Sequence, residues 1–136
     1  MSSMGVSFAT ASYRNWAPWM GLPVRTTVGH PRFIRYKLAG AAPPLYPDRT
    51  WLTLDRSSYE ELYVGRLDGL APYPLLRVNE IAVDLRLAAK KSRARLVWLC
   101  FDDLTKPGAW CHRRMLADWL EACGIPCPEL TPKENR

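Results

Sequence analysis

The run RLVWLCF, residues 95–101, constrains the fold more than any other part of the chain. A strand with one wet face alternates apolar and polar residues. Here Leu96 to Phe101 is apolar throughout, the pattern of a strand covered on both faces. The run is followed by a nine-residue loop and then an amphipathic helix over about 111–123. Strand followed by helix around a doubly covered strand implies an α/β fold. We expect a single compact domain with a mostly parallel sheet of about 4–5 strands flanked by helices.

The remaining elements fit that class. Residues 6–13 (VSFATASY) and 24–29 (VRTTVG) are rich in β-branched residues and read as short strands. NWAPWMGLP between them reads as a loop. Pro31, Pro43, Pro44 and Pro47 forbid a regular element over most of 31–49, and WLTL, 51–54, reads as a third strand. Ser58 and Glu61 have capping-box spacing, which predicts a helix starting near Ser58. Tyr59, Leu62, Tyr63 and Leu67 share its face, and Gly69 stops it. A second helix is expected over 74–91. The last helix carries Met115, Leu116, Trp119, Leu120 and Cys123 as its buried stripe and ends at Gly124, with a short strand near 125–130. The 136 residues form one unit, 1–136, with 1–5 and 131–136 as flexible tails.

Composition narrows the function classes. The chain is 48% hydrophobic, enough to fill a core, and no apolar run approaches the roughly 20 residues that span a bilayer, so no membrane partner is expected. MSSMGVSFATASYRNW lacks the charged start and apolar block of a signal peptide, so the expected location is cytoplasmic, with reduced thiols. Nineteen basic residues against thirteen acidic ones give a net charge of +6, which favours an anionic partner. Lys90, Lys91, Arg93 and Arg95 cluster at the end of the expected 74–91 helix, where cations suit the helix dipole.

The start of the last helix carries the wrong charge. His112, Arg113 and Arg114 crowd its first turn, directly behind Cys111, where basic residues oppose the dipole. In open α/β sheets ligands bind outside the carboxyl ends of the strands. The loop 102–110 lies at such an end, starting with Asp102 and Asp103 and leading through Trp110 into Cys111, His112 and Arg113. Gly29-His30-Pro31-Arg32 follows the strand at 24–29. If the two strands are parallel neighbours, His30 and His112 face one cleft. Basic side chains and free N–H groups at a helix start then make an anion site. The competing structural reading has Arg113 and Arg114 pointing to solvent while Asp102 or Asp103 caps the helix.

Cys111, at a helix start, is either a nucleophile of lowered pKa or a small packing residue. Cys100, inside an apolar strand, reads as a buried core thiol. Cys123 and Cys127 lack the C-x-x-C spacing of a zinc knuckle, so no metal and no other cofactor is expected. Trp98 and Trp119 suit a core. Trp16, Trp19 and Trp110 lie in loops, where they either wall a ligand or plug the ends of the core.

Leu99, Cys100, Asp102, Pro107, Cys111, His112, Arg113 and Ala117 form a pattern that resembles the domain of unknown function 488 family. Ala11 to Arg14, Pro23 to Gly29 and Pro31 to Phe33 resemble the variety of that family common in actinobacteria and their phages, so the likeness runs from about residue 7 to 130. The resemblance implies a compact α/β fold and no established activity. It points to Cys100, Asp102, Cys111, His112 and Arg113, and also to Arg14, Arg25 and Arg32, as site residues. Asp102 stands where the family usually has Glu, so its carboxylate reaches one methylene less far.

Two functions follow as expectations. In the first, the chain binds or acts on a nucleotide-like or phosphorylated small ligand. His112 would be general acid/base, with Asp102 orienting it and Cys111 as the candidate nucleophile. Arg113, Arg32, His30, Arg14, Arg25 and Trp110 would hold the ligand. In the second, it is a nucleic-acid-binding or phage- or defence-associated interaction protein without catalysis, although no helix-turn-helix, zinc-finger or RNA-recognition signature stands in the chain.

Overall fold

The computed structural model describes residues 7–69, 95–102, 104 and 106–132. The apolar run forms strand β4, Leu96–Cys100, and all five of its residues are buried. It lies between β1, Phe8–Ser12, and β2, Leu22–Arg25; β3, Gly40–Ala41, sits outside β2. The order is β1-β4-β2-β3, and every pairing is parallel. Thr10 pairs with Trp98 across β1 and β4, and Arg25 pairs with Leu99 across β2 and β4.

Alternation along β4 sorts the core into two layers. Leu96 and Trp98 point to one face, with Phe8 and Val24, and pack against helix α1, Arg56–Asp68, and helix α2, His112–Ala122. Tyr59, Tyr63 and Leu67 of α1 and Met115, Leu116 and Leu120 of α2 close that layer. Val97 and Leu99 point to the other face, where Ala9, Ala11, Tyr13, Met20 and Leu130 join them under Trp16, Trp19 and Tyr36. The strand is thus apolar on both sides because both sides are covered. The fold is α/β with a parallel sheet, as expected.

Several boundaries differ from the expectation. β1 leaves out Ser7 at its start and Tyr13 at its end. β2 begins earlier than expected and ends at Arg25, because the Arg25 guanidinium donates to the carbonyls of Thr27, at 2.7 Å, and Val28, which curls 26–29 into a loop. WLTL is not a strand: Asp48 Oδ1 accepts from the Thr50 N–H at 2.9 Å and starts a single turn of 3-10 helix, Arg49–Trp51. The cap of α1 is Asp55 rather than Ser58, whose N–H donates to the Asp55 carboxylate. Leu62 faces outward on α1, and Cys123 is exposed at the end of α2 rather than part of its buried stripe.

The expected strand near 125–130 reduces to one parallel bridge between Thr10 and Glu129. Pro126 and Pro128 have no N–H for a ladder, so only Leu130 N–H donating to Thr10 O at 2.7 Å and Thr10 N–H donating to Pro128 O at 2.8 Å hold it. The expected helix over 74–91, Lys90, Lys91, Arg93 and Asp103 lie outside the described residues.

Gly21 is what lets the chain enter β2. Its φ is 130°, and a Cβ there would sit 2.4 Å from the Arg95 carbonyl oxygen, which already accepts from Leu22 N–H. Gly108, at φ 74°, faces open space instead. Gly21→Ala should therefore lower stability by about 3 kcal/mol and Gly108→Ala by only about 1 kcal/mol, compared by denaturant unfolding.

Candidate functional site

A cleft of about 1160 Å³ opens at the carboxyl ends of the strands. Arg14 reaches it from the end of β1, Thr27 to Gly29 from the end of β2, and Phe101 and Asp102 from the end of β4. Lys106 and Gly108 to His112 close one side on the way into α2, while Arg49, Leu52 and Tyr59 close another. The position agrees with the rule for parallel sheets, since the loops that leave neighbouring strands converge there.

The rim is tied down locally. Thr27 Oγ1 donates to the Gly29 carbonyl at 2.7 Å and accepts from the buried Tyr13 hydroxyl at 2.7 Å. The Arg25 guanidinium holds the same loop from behind and lies over the Tyr46 ring, 5.1 Å from its centroid. Arg25 thus shapes the rim and does not line the cleft. Trp110 stands edge-on to Tyr59, with ring centroids 5.0 Å apart, and gives the cleft an aromatic wall.

On the floor, Cys100, Cys111 and His112 come together, all buried. His112 Nε2 lies 3.1 Å from the Thr26 carbonyl oxygen and 3.0 Å from Thr26 Oγ1, whose own proton goes to Leu99 O at 2.7 Å. A carbonyl only accepts, so Nε2 carries the imidazole proton and Nδ1 is left with its lone pair, 3.7 Å from Cys111 Sγ. Burial pushes the imidazole down to about 4, with the Thr26 carbonyl opposing that shift and the Arg113 charge adding to it. His112 is therefore neutral at neutral pH. Asp102 is pushed the other way: partial desolvation raises its carboxyl, against the pull of Arg113. Cys100 and Cys111 are joined as a disulfide with Cα atoms 7.4 Å apart. This corrects the expectation of reduced thiols and of a free Cys111 nucleophile, since a sulfur held in a disulfide has no thiolate to attack with.

Arg113 answers the puzzle of the mis-signed helix start, and it corrects the anion-site expectation for that residue. It does not line the cleft. Its guanidinium is 1% exposed and grips Glu129 with two bonds, Nε to Oε1 at 3.0 Å and Nη2 to Oε2 at 2.7 Å. Nη1 donates to the Asp102 carbonyl at 2.8 Å and to Cys100 Sγ at 2.9 Å. Arg114 also turns inward, donating to Thr10 Oγ1 and the Cys127 carbonyl, both at 2.9 Å. Neither arginine points to solvent, and neither Asp102 nor any other described side chain caps the helix at Cys111.

Of the residues expected at the site, the fold gathers Arg14, Asp102, Trp110, Cys111 and His112 around one cleft. His30 is exposed, with Nδ1 near the Pro31 carbonyl, and Arg32 is exposed outside the cleft; β2 and β4 are parallel neighbours, yet only His112 faces the space between their ends. Sequence reasoning missed Arg49, Lys106, Thr26 and Tyr59. Tyr59 was legible only as a core position on α1, and Thr26 only as part of a strand. Arg49 and Lys106 carry no local signal. The remaining thiols stand apart: Cys123 is exposed, and burial pushes Cys127 up to about 12.

The Arg113–Glu129 pair makes a sharp stability test. Glu129→Ala strands a fully buried guanidinium and should lower unfolding free energy by about 3–5 kcal/mol. Arg113→Met keeps most of the packing and leaves a Glu129 carboxylate that is 23% exposed and can rehydrate, so its loss should be smaller. Denaturant melts showing Glu129→Ala within about 0.5 kcal/mol of wild type would show the pair to be energetically idle.

No family model matches the chain, and neither a curated protein nor a solved structure shows significant similarity to it.

Proposed function

We propose that the cleft binds a small phosphorylated or nucleotide-like anion. One observation carries this reading: Arg14, Arg49 and Lys106 line a single cleft beside the aromatic wall of Trp110 and Tyr59, with Asp102 as the one carboxylate among the described lining residues. Cations spaced around a concave, partly apolar site attract and orient an anion with a flat or apolar body. The cations that serve the ligand are thus not the pair at the helix start, which the fold consumes. Asp102 on the floor is the carboxylate placed to act on a bound molecule, beside His112, whose Nδ1 lone pair faces Cys111 Sγ.

Thermal melts test the reading. Phosphate, sulfate and a mononucleotide should each raise the melting temperature, since an anion present at 100 times its Kd adds about 2.7 kcal/mol. Arg14→Ala and Lys106→Ala should leave the ligand-free melt near wild type and weaken the anion response. Arg32→Ala, outside the cleft, should leave both unchanged. A response that is absent, or equally sensitive to Arg32, would overturn the cleft as the site. Stabilisation by oligonucleotides but not by a mononucleotide would move the assignment to a nucleic-acid-binding surface.

A further inference from the structure

We propose that Cys100, Cys111 and His112 are the three protein ligands of a soft divalent metal ion of the zinc class, with its fourth position open to the cleft. Along the chain, Cys123 and Cys127 lack zinc-knuckle spacing. The fold instead joins the end of β4 to the start of α2 and brings Cys100 to Cys111, with His112 beside them. Their three donor atoms lie within 4.8 Å of one another, and all three residues are buried.

The backbone spacing favours an ion over a relaxed disulfide. The two Cα atoms are 7.4 Å apart, wider than the roughly 4.4–6.8 Å that disulfides usually span. Two thiolates on a tetrahedral zinc stand about 3.8 Å from each other, so side-chain rotation about these Cα positions opens room for an ion without closing the backbone. His112 is already placed. Its Nδ1 is 3.7 Å from Cys111 Sγ, and a nitrogen and a sulfur on one tetrahedral zinc are separated by about 3.6 Å.

The surroundings are those of a ligand set. Metal-binding histidines usually donate their second N–H to a carbonyl or carboxylate, which fixes the tautomer, and His112 Nε2 does so to Thr26 O. Arg113 Nη1 donates to Cys100 Sγ at 2.9 Å, so an outer hydrogen-bond donor already holds one of the ligand sulfurs in place. Charge closes as well: two thiolates and a neutral imidazole cancel a divalent ion, which suits a buried floor. Binding is M²⁺ + 2 RSH → M(SR)₂ + 2 H⁺, so two protons leave per ion. Three protein ligands with an open place facing a cleft is the pattern of catalytic rather than structural zinc. The site takes its ion independently of the proposed anion, which would meet the open position.

Cobalt(II) is the probe. The reduced, metal-stripped protein should take up one equivalent, with tetrahedral d–d absorption, thiolate-to-cobalt charge-transfer bands of two-sulfur intensity, and release of two protons. Zinc should displace the cobalt. Cys123→Ser, in an exposed thiol outside the cluster, should behave as wild type, and Cys111→Ser should weaken binding by about 100-fold or more and halve the charge-transfer intensity. Should Cys111→Ser fail to fold, the wild-type band intensity and proton count decide alone. No cobalt uptake by folded protein with four reducible thiols overturns the proposal, as does uptake with no sulfur charge transfer or uptake that depends on Cys123. A Cys100–Cys111 disulfide that persists under reductant and excludes cobalt also overturns it. None of these readouts requires an anion, so failure here leaves the anion melts informative, and the reverse.

Discussion

Arg113 stands where four chain segments meet, and its guanidinium ties its own helix to the other three. Glu129 takes two of its bonds from the C-terminal segment, while the Asp102 carbonyl and Cys100 Sγ take the others at the end of β4. The third segment is reached through Glu129, which accepts from Thr10 Oγ1 of β1 at 2.6 Å. A single buried cation thereby fixes α2, β4, β1 and the C-terminal segment to one another. A buried charge is costly unless its hydrogen bonds are filled, and here every guanidinium nitrogen is engaged. The unfavourable sign at the helix N-terminus is a few tenths of a kcal/mol, up to about 1. Losing a buried partner costs several times that, so the junction outweighs the dipole.

The same junction sets the floor of the cleft. With Arg113 pinned beneath it, Cys111 and His112 at the start of α2 are held against the end of β4, and Thr26 at the end of β2 receives the His112 N–H. Cys100 and His112 of the floor sit on β4 and α2, with Cys111 directly before the helix, whereas the cations of the rim come from loops and a single helical turn. Arg14 lies 5.3 Å from the Phe33 ring centroid, a soft restraint compared with the network below. A rigid floor under a more adaptable rim suits a site that must hold reacting or coordinating atoms firmly and accept an anion from solvent.

How much of this was legible in the chain follows from the range of each interaction. The apolar run of β4, most of the stripe of α2 and the stop at Gly124 are local patterns and stand close to where the sequence places them, with Phe101 and Cys123 at their ends left exposed. The parallel sheet follows from the doubly covered strand together with the succession of strand and helix along the chain. By contrast, β2 ends early because a side chain, Arg25, takes carbonyls a ladder would otherwise need, and 125–130 shrinks to a bridge because two prolines interrupt it. WLTL carries strand-forming residues but is preceded by Asp48, whose cap settles a helical turn first. The loop 102–110 was recognisable as a site from charge and position, yet the partner of Arg113, 16 residues further on, was not, because Glu129 sits among residues with no periodic signal.

The residues of the Cys-His-Arg turn illustrate why a compact motif need not have a compact role. Cys111, His112 and Arg113 are consecutive, but successive side chains at a helix start point about 100° apart, so one turn can serve two faces. Cys111 and His112 look into the cleft, and Arg113 looks away from it into the junction. Arg113 still touches the floor through Cys100, so the fold's buried cation and the proposed metal's thiolate share one hydrogen bond. A charge kept for the fold then also tunes the site. Arginine suits this junction because its planar fork engages the Glu129 carboxylate, the Asp102 carbonyl and Cys100 Sγ at once in fixed geometry, where a lysine ammonium offers only a single point of charge.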